Sequence, residues 1–138
     1  MAIYCGTDIA SVNRIKDSIA EFGDTFLKRI YTDEEIQYCE SRRMSKYQSY
    51  AARFAAKEAI YKALSQKTDK ENGSTQVSWH DAEIVKMPNG KPCVKLHGKL
   101  AEVVQQLKIK EENIDVSLSH DAEVAIAMIV INRIKRRE

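Results

Sequence analysis

The stretch Lys46–Ser65, KYQSYAARFAAKEAIYKALS, constrains this chain more than any other. It is rich in alanine, the strongest helix former, and reads as one long helix. At 100° per residue Tyr50, Phe54, Tyr61 and Leu64 fall on one face. Ala51, Ala55 and Ala59 keep another side small, so a neighbouring backbone can approach closely.

Shorter elements surround this helix. Ile3, Tyr4 and Cys5 begin a strand, Gly6-Thr7-Asp8 interrupts it, and Ile9 continues the apolar pattern. Ser11 caps a helix running through Arg14, Ile15 and Ile19, and a second helical piece covers about Asp24 to Ile30. Thr32 and Glu35 have the spacing of a capping box, opening a helix with Ile36 and Tyr38. Thr68 to Thr75 is polar, contains Gly73 and reads as a mobile loop. Ala82 to Met87 and Cys93 to His97 form two strands around Pro88-Asn89-Gly90-Lys91, a hairpin signal because Asn-Gly favours positive φ. Leu100, Val103, Val104 and Leu107 have helical spacing. Ile114, Val116 and Leu118 alternate with Asp115, Ser117 and Ser119 as in a strand, and Val124 to Ile131 is a buried strand antiparallel to it. The charged tail from Arg133 to Glu138 frays. The order points to an α+β fold, and residues 1–138 read as a single domain without repeats.

Composition narrows the function. With 43% apolar and 30% charged residues, a globular core is expected and disorder is not. A net charge of +2 gives no electrostatic reason to expect nucleic-acid binding. Cys5, Cys39 and Cys93 lack zinc spacing and read as reduced thiols of a cytoplasmic protein, with Cys5 packed in the interior. No secretory leader stands at the N-terminus, and no apolar run approaches the roughly 20 residues of a membrane span.

Few residues have the makings of a site. Asp8 lies in or just after an apolar strand, where an unpaired carboxylate is costly. It is either a turn or cap aspartate or a ligand for a hard cation such as magnesium. Glu58 and Lys62 lie one helical turn apart, the spacing of an ordinary exposed ion pair. With Arg53 and Lys57 beside them, they also make a surface suited to a metal with a polyphosphate. His120 ends the Ile114–Leu118 face of its strand, and a lone histidine there is commonly a core or turn residue. No P-loop, GxGxxG or GxSxG is present, so any phosphate is held by lysines, arginines, hydroxyls and scattered amides.

Three stretches, in order and at matching separations, resemble the holo-acyl-carrier-protein synthases of the 4'-phosphopantetheinyl transferase superfamily. They are Gly6-Thr7-Asp8-Ile9 followed by Arg14, Arg53-Phe54-Ala55-Ala56-Lys57-Glu58-Ala59 followed by Lys62-Ala63, and Val116-Ser117-Leu118-Ser119-His120. Asn89-Gly90-Lys91-Pro92 also matches. The resemblance covers nearly the whole chain, although Thr68–Thr75 and Lys108–Asn113 look long for the family. It implies a 4'-phosphopantetheinyl transferase-like fold, an antiparallel sheet wrapped on a long helix. It implies transfer of the phosphopantetheine arm of coenzyme A to a serine of an acyl carrier protein in fatty-acid synthesis. It also implies Mg²⁺ as cofactor and homotrimers with active sites between subunits. By the same resemblance Asp8 and Glu58 are the metal ligands, and catalysis involves Asp8, Glu58, Lys62 and His120. Arg53, Lys62, Asn89, Gly90, Lys91, Pro92 and His120 bind the coenzyme, and Arg14 and Arg29 contact the carrier protein. The acceptor of the serine proton is Glu58, Asp8 or a water. A non-catalytic RNA-binding module and a structural oligomerisation module are the competing readings.

Overall fold

The structure, a computed structural model, describes residues 2–65 and 78–133. The elements are β1 (Ala2–Ser11), α1 (Val12–Phe22), α2 (Asp24–Ile30), α3 (Asp33–Ser41), α4 (Lys46–Ser65), β2 (Ala82–Lys86), β3 (Pro92–Leu96), α5 (Gly98–Gln106), β4 (Ile114–His120) and β5 (Val124–Arg133). Two antiparallel sheets form, one ordered β1-β5-β4 and the other the β2-β3 hairpin. This is the α+β arrangement expected from the order of patterns.

α4 is the centre of the molecule. Ala55, Ala56, Ala59, Ile60 and Ala63 are fully buried. β1 and β5 lie across it, presenting Tyr4, Ala10, Ala125, Ala127, Ile129 and Ile131. Alternation along β1 explains the choice: Tyr4, Gly6, Asp8 and Ala10 share the inward parity, while Ile3, Cys5, Thr7 and Ile9 share the outward one. Cys5 is therefore exposed, which corrects its expected place in the core. Nor do Gly6-Thr7-Asp8 interrupt the strand. Their pairing with Ile129, Met128 and Ala127 is continuous, because a glycine and two short polar side chains leave the backbone free to keep its ladder.

Local chemistry fixes the remaining elements. The Ser11 side chain accepts from the Arg14 amide and starts α1. Thr32 and Glu35 complete the capping box of α3. In the hairpin only Gly90 of the turn takes positive φ, at 88°, and the Lys91 amide donates to Asn89 Oδ1 at 3.0 Å. The expected loop at Thr68–Thr75 and most of the charged tail lie outside the described residues.

A buried ion pair ties α3 and the hairpin to α4. Lys57 Nζ and Glu35 Oε1 are 2.8 Å apart, both side chains fully buried. The ammonium donates also to the carbonyls of Trp79 and Ala82, at 2.9 and 2.7 Å. Glu35 accepts from the amides of Thr32 and Ile84. Burial pulls the Lys57 pKa below the usual lysine value, against the upward pull of Glu35. These hydrogen bonds offset part of the desolvation cost of the pair, and removing either partner would leave a buried charge unpaired.

Candidate functional site

Asp8 and Lys62 meet where β1 crosses α4. Lys62 Nζ lies 2.6 Å from Asp8 Oδ1, and it also donates to the Thr7 carbonyl at 3.4 Å. Asp8 points to this side because it shares its strand parity with the buried Tyr4 and Ala10. Its side chain is mostly covered, whereas that of Lys62 is more than half exposed, so the lysine is the mobile partner. Glu58, one turn before Lys62, completes the group. Partial burial and then the Asp8 charge raise the Glu58 pKa above the usual carboxylate value, and Lys62 opposes them. The hydrogen bond and charge of Asp8 raise the Lys62 pKa. The expected ion pair within α4 is thus replaced by one between Lys62 and Asp8 on the strand.

Two carboxylates with one shared cation make a place for a hard ion. Asp8 and Glu58 supply oxygen donors of the kind Mg²⁺ takes. Among the described residues no group of three or more His, Cys, Asp and Glu could hold a metal. A magnesium ion here would take the remainder of its coordination from phosphate oxygens and water, as it commonly does.

The surface expected to combine Arg53 and Lys57 with Glu58 and Lys62 is divided by the helix. Lys57 is consumed by Glu35 in the interior, a correction that follows from the second role of the capping-box glutamate. Arg53 lies only 5% exposed against Tyr38, its guanidinium 4.1 Å from the ring centroid. Its Nε is buried without a hydrogen-bond partner. Lys86 and Arg42 approach the same ring at 5.3 and 5.9 Å. Three cations thus gather around one aromatic ring in a single cluster. Its members Tyr38, Arg42 and Lys86 escape sequence reasoning, because they come from separate elements and carry no motif.

The other expected residues lie apart. His120 is exposed at the end of β4, paired with Ala125. Since β5 separates β4 from β1, it stands two strand spacings, about 10 Å, from the Asp8 strand. Asn89, Gly90 and Lys91 form the exposed tip, and the half-buried Pro92 the start of β3, of a hairpin that packs against β4, at the sheet edge opposite β1. A groove of about 830 Å³ opens there, lined by Met87, Lys91, Cys93, Val94, Ile114 and Val116. None of Asp8, Glu58, Lys62 or His120 lines it. Arg14 and Arg29 are exposed on α1 and α2.

Comparison with known proteins places the chain among relatives of one family. The model of the 4'-phosphopantetheinyl transferase superfamily matches residues 4–127. The holo-[acyl-carrier-protein] synthase of Ruminiclostridium cellulolyticum is 45% identical, with 96% of this chain and 93% of the relative covered. That of Solibacter usitatus is 43% identical, covering 95% of this chain and 98% of the relative. A crystal structure of the Helicobacter pylori holo-[acyl-carrier-protein] synthase in complex with coenzyme A superposes with a TM-score of 0.73 at 34% identity, covering 93% of this chain and 99% of that one. With these relatives, and with the strand aspartate set against the RFAAKEA helix, the chain belongs to the 4'-phosphopantetheinyl transferase superfamily as a member of its holo-[acyl-carrier-protein] synthase family.

Proposed function

We propose that this chain transfers the 4'-phosphopantetheine group of coenzyme A to a serine of apo-acyl carrier protein, releasing adenosine 3',5'-bisphosphate, with Asp8, Glu58 and Lys62 at the reacting phosphates. The observation that carries this reading is the convergence of those three side chains at the crossing of β1 and α4. Asp8 and Glu58 would hold Mg²⁺, which when bound would supply charge neutralisation at the pyrophosphate. Lys62 is exposed enough to swing from Asp8 to a phosphate oxygen, where it offsets the charge that develops on the leaving group. The serine oxygen attacks the phosphorus bearing the pantetheine arm. Its proton passes to Glu58, Asp8 or a water held beside them. Arg53, with Arg42 and Lys86 around Tyr38, suits the 3'-phosphate of the coenzyme.

Lys91 and its loop, together with His120, complete the nucleotide site from a neighbouring protomer. Their distance across the sheet from β1 supports this reading. So does the outward face of the three-stranded sheet, where Ile3, Ile9, Ile126 and Met128 are between 42% and 65% exposed in the single chain. Such a face suits burial between subunits, here in a homotrimer. Arg14 and Arg29 offer positive charge to an acidic carrier protein. The enzyme works in the cytoplasm in fatty-acid biosynthesis. No helix among the described residues is long and apolar enough to cross a membrane.

Incubating the protein with coenzyme A, Mg²⁺ and an apo carrier protein tests the reading. The expected result is a carrier heavier by one phosphopantetheine and stoichiometric adenosine 3',5'-bisphosphate. An unmodified carrier, with steeply salt-dependent RNA affinity instead, would replace the enzyme by the RNA-binding module.

A further inference from the structure

We infer that Gly6 is a positioning residue for the cation site: the missing side chain sets how closely the Asp8 strand lies against the helical turn carrying Glu58 and Lys62. The inference rests on the reading of Asp8 and Glu58 as metal ligands given above. Gly6 has the inward parity of Tyr4, Asp8 and Ala10, yet its φ is not in the left-handed region, so no turn geometry calls for glycine there. What calls for it is contact. A Cβ at Gly6 would lie 2.1 Å from the Ala59 carbonyl oxygen and 3.0 Å from the Ala63 amide nitrogen. Both atoms belong to the backbone of α4, so no side chain can rotate out of the way. They belong to the turn that begins just after Glu58 and ends just after Lys62.

Adding one methyl therefore has a specific geometric result. The strand has to move away from α4 at the point where Asp8, two residues on, reaches Lys62 at 2.6 Å. The small residues on the helix side make the same contact possible: Ala59 and Ala63 are both fully buried. Gly6, Ala59 and Ala63 together thus hold the two carboxylates close enough to share one cation, although none of the three has a group that binds it.

The test reads metal binding in solution, independently of turnover. Free Mn²⁺ is followed by electron paramagnetic resonance during titration of wild type, Gly6→Ala, Asp8→Glu, the double variant Gly6→Ala/Asp8→Glu and the control Asp8→Ala, with circular dichroism on each. Gly6→Ala is expected to keep its secondary structure and to weaken Mn²⁺ binding by about ten-fold or more, as misplaced ligands do. The longer carboxylate of Asp8→Glu should recover part of that loss in the Gly6→Ala background and weaken binding in the wild-type background. Wild-type Mn²⁺ affinity in Gly6→Ala overturns the inference, even if thermal stability falls, because Gly6 would then serve packing alone. An equal effect of Asp8→Glu in both backgrounds overturns it as well. If Gly6→Ala does not fold, Ala63→Val enlarges the same crossing from the helix side. Weakened Mn²⁺ binding there supports the inference, and unchanged binding overturns it. Failure of the ligand assignment itself has a different signature, Mn²⁺ binding in Asp8→Ala equal to wild type.

Discussion

Lys62 has two partners to serve. In the structure its ammonium neutralises Asp8, and in the proposed reaction it moves to a phosphate, which would leave Asp8 free to hold a metal. A lysine and a divalent cation compete for one carboxylate, since like charges a few Å apart repel. Lys62→Ala is therefore expected to bind Mn²⁺ several-fold more tightly than wild type without coenzyme A, and to load carrier protein at least about ten-fold more slowly. Calorimetric Mn²⁺ titration and a loading time course measure the two effects. Tighter metal binding without a slower rate would remove Lys62 from the chemistry. Of this residue's surroundings, its spacing from Glu58 is visible in the sequence. The partner it actually takes is not, because Asp8 stands 54 residues away and only the crossing of β1 over α4 joins them.

Among the elements, the packing of the hairpin on α3 and α4 depends on charge as well as on apolar contact. Glu83 accepts from the Thr32 hydroxyl at 2.5 Å, and its other oxygen meets His97 Nε2 at 2.9 Å. Burial alone would raise the Glu83 pKa. The Thr32 bond and His97 outweigh it, and the pKa lies below the usual value. A carboxyl with a depressed folded-state pKa stabilises the fold above its unfolded pKa, about 4.3, and this stabilisation is lost as pH falls through the folded value. Glu83→Gln should therefore lower stability at pH 7 by about 1.5–3 kcal/mol, and the deficit should shrink below about pH 4. Urea denaturation across that range measures it, and a pH-independent deficit would show that only shape was lost. Much of this level is legible beforehand. α2 and α4 have the spans that the sequence indicates, α3 starts at its capping box, and the Asn-Gly turn falls where its dipeptide lies. What stays hidden is long-range. The capping box identifies Glu35 as a local residue, yet its carboxylate also receives Lys57 and the Ile84 amide. Alternation along β1 is the one missed local signal. Followed through the glycine, it places Cys5 outside and Asp8 inside.

At the scale of the molecule, one protomer gathers the cation ligands at one edge of the sheet and holds the hairpin loop at the other. The proposed trimer joins them through the apolar outer face. Sedimentation equilibrium is expected to give about three times the 15.7 kDa chain mass. Ile9→Lys, on the outward parity of β1, should shift the protein to monomer and remove activity together. A fully active monomer would show that each chain carries a complete site. Within that assembly, Asp8 and Glu58 are proposed to hold jointly the metal at which phosphopantetheine is transferred. Carrier loading by wild type, Asp8→Ala and Glu58→Ala, titrated with Mg²⁺ and accompanied by circular dichroism, tests it most directly. Both variants are expected to stay folded, with loading reduced at least about a hundred-fold at ordinary Mg²⁺. Near-normal loading in either variant would contradict it.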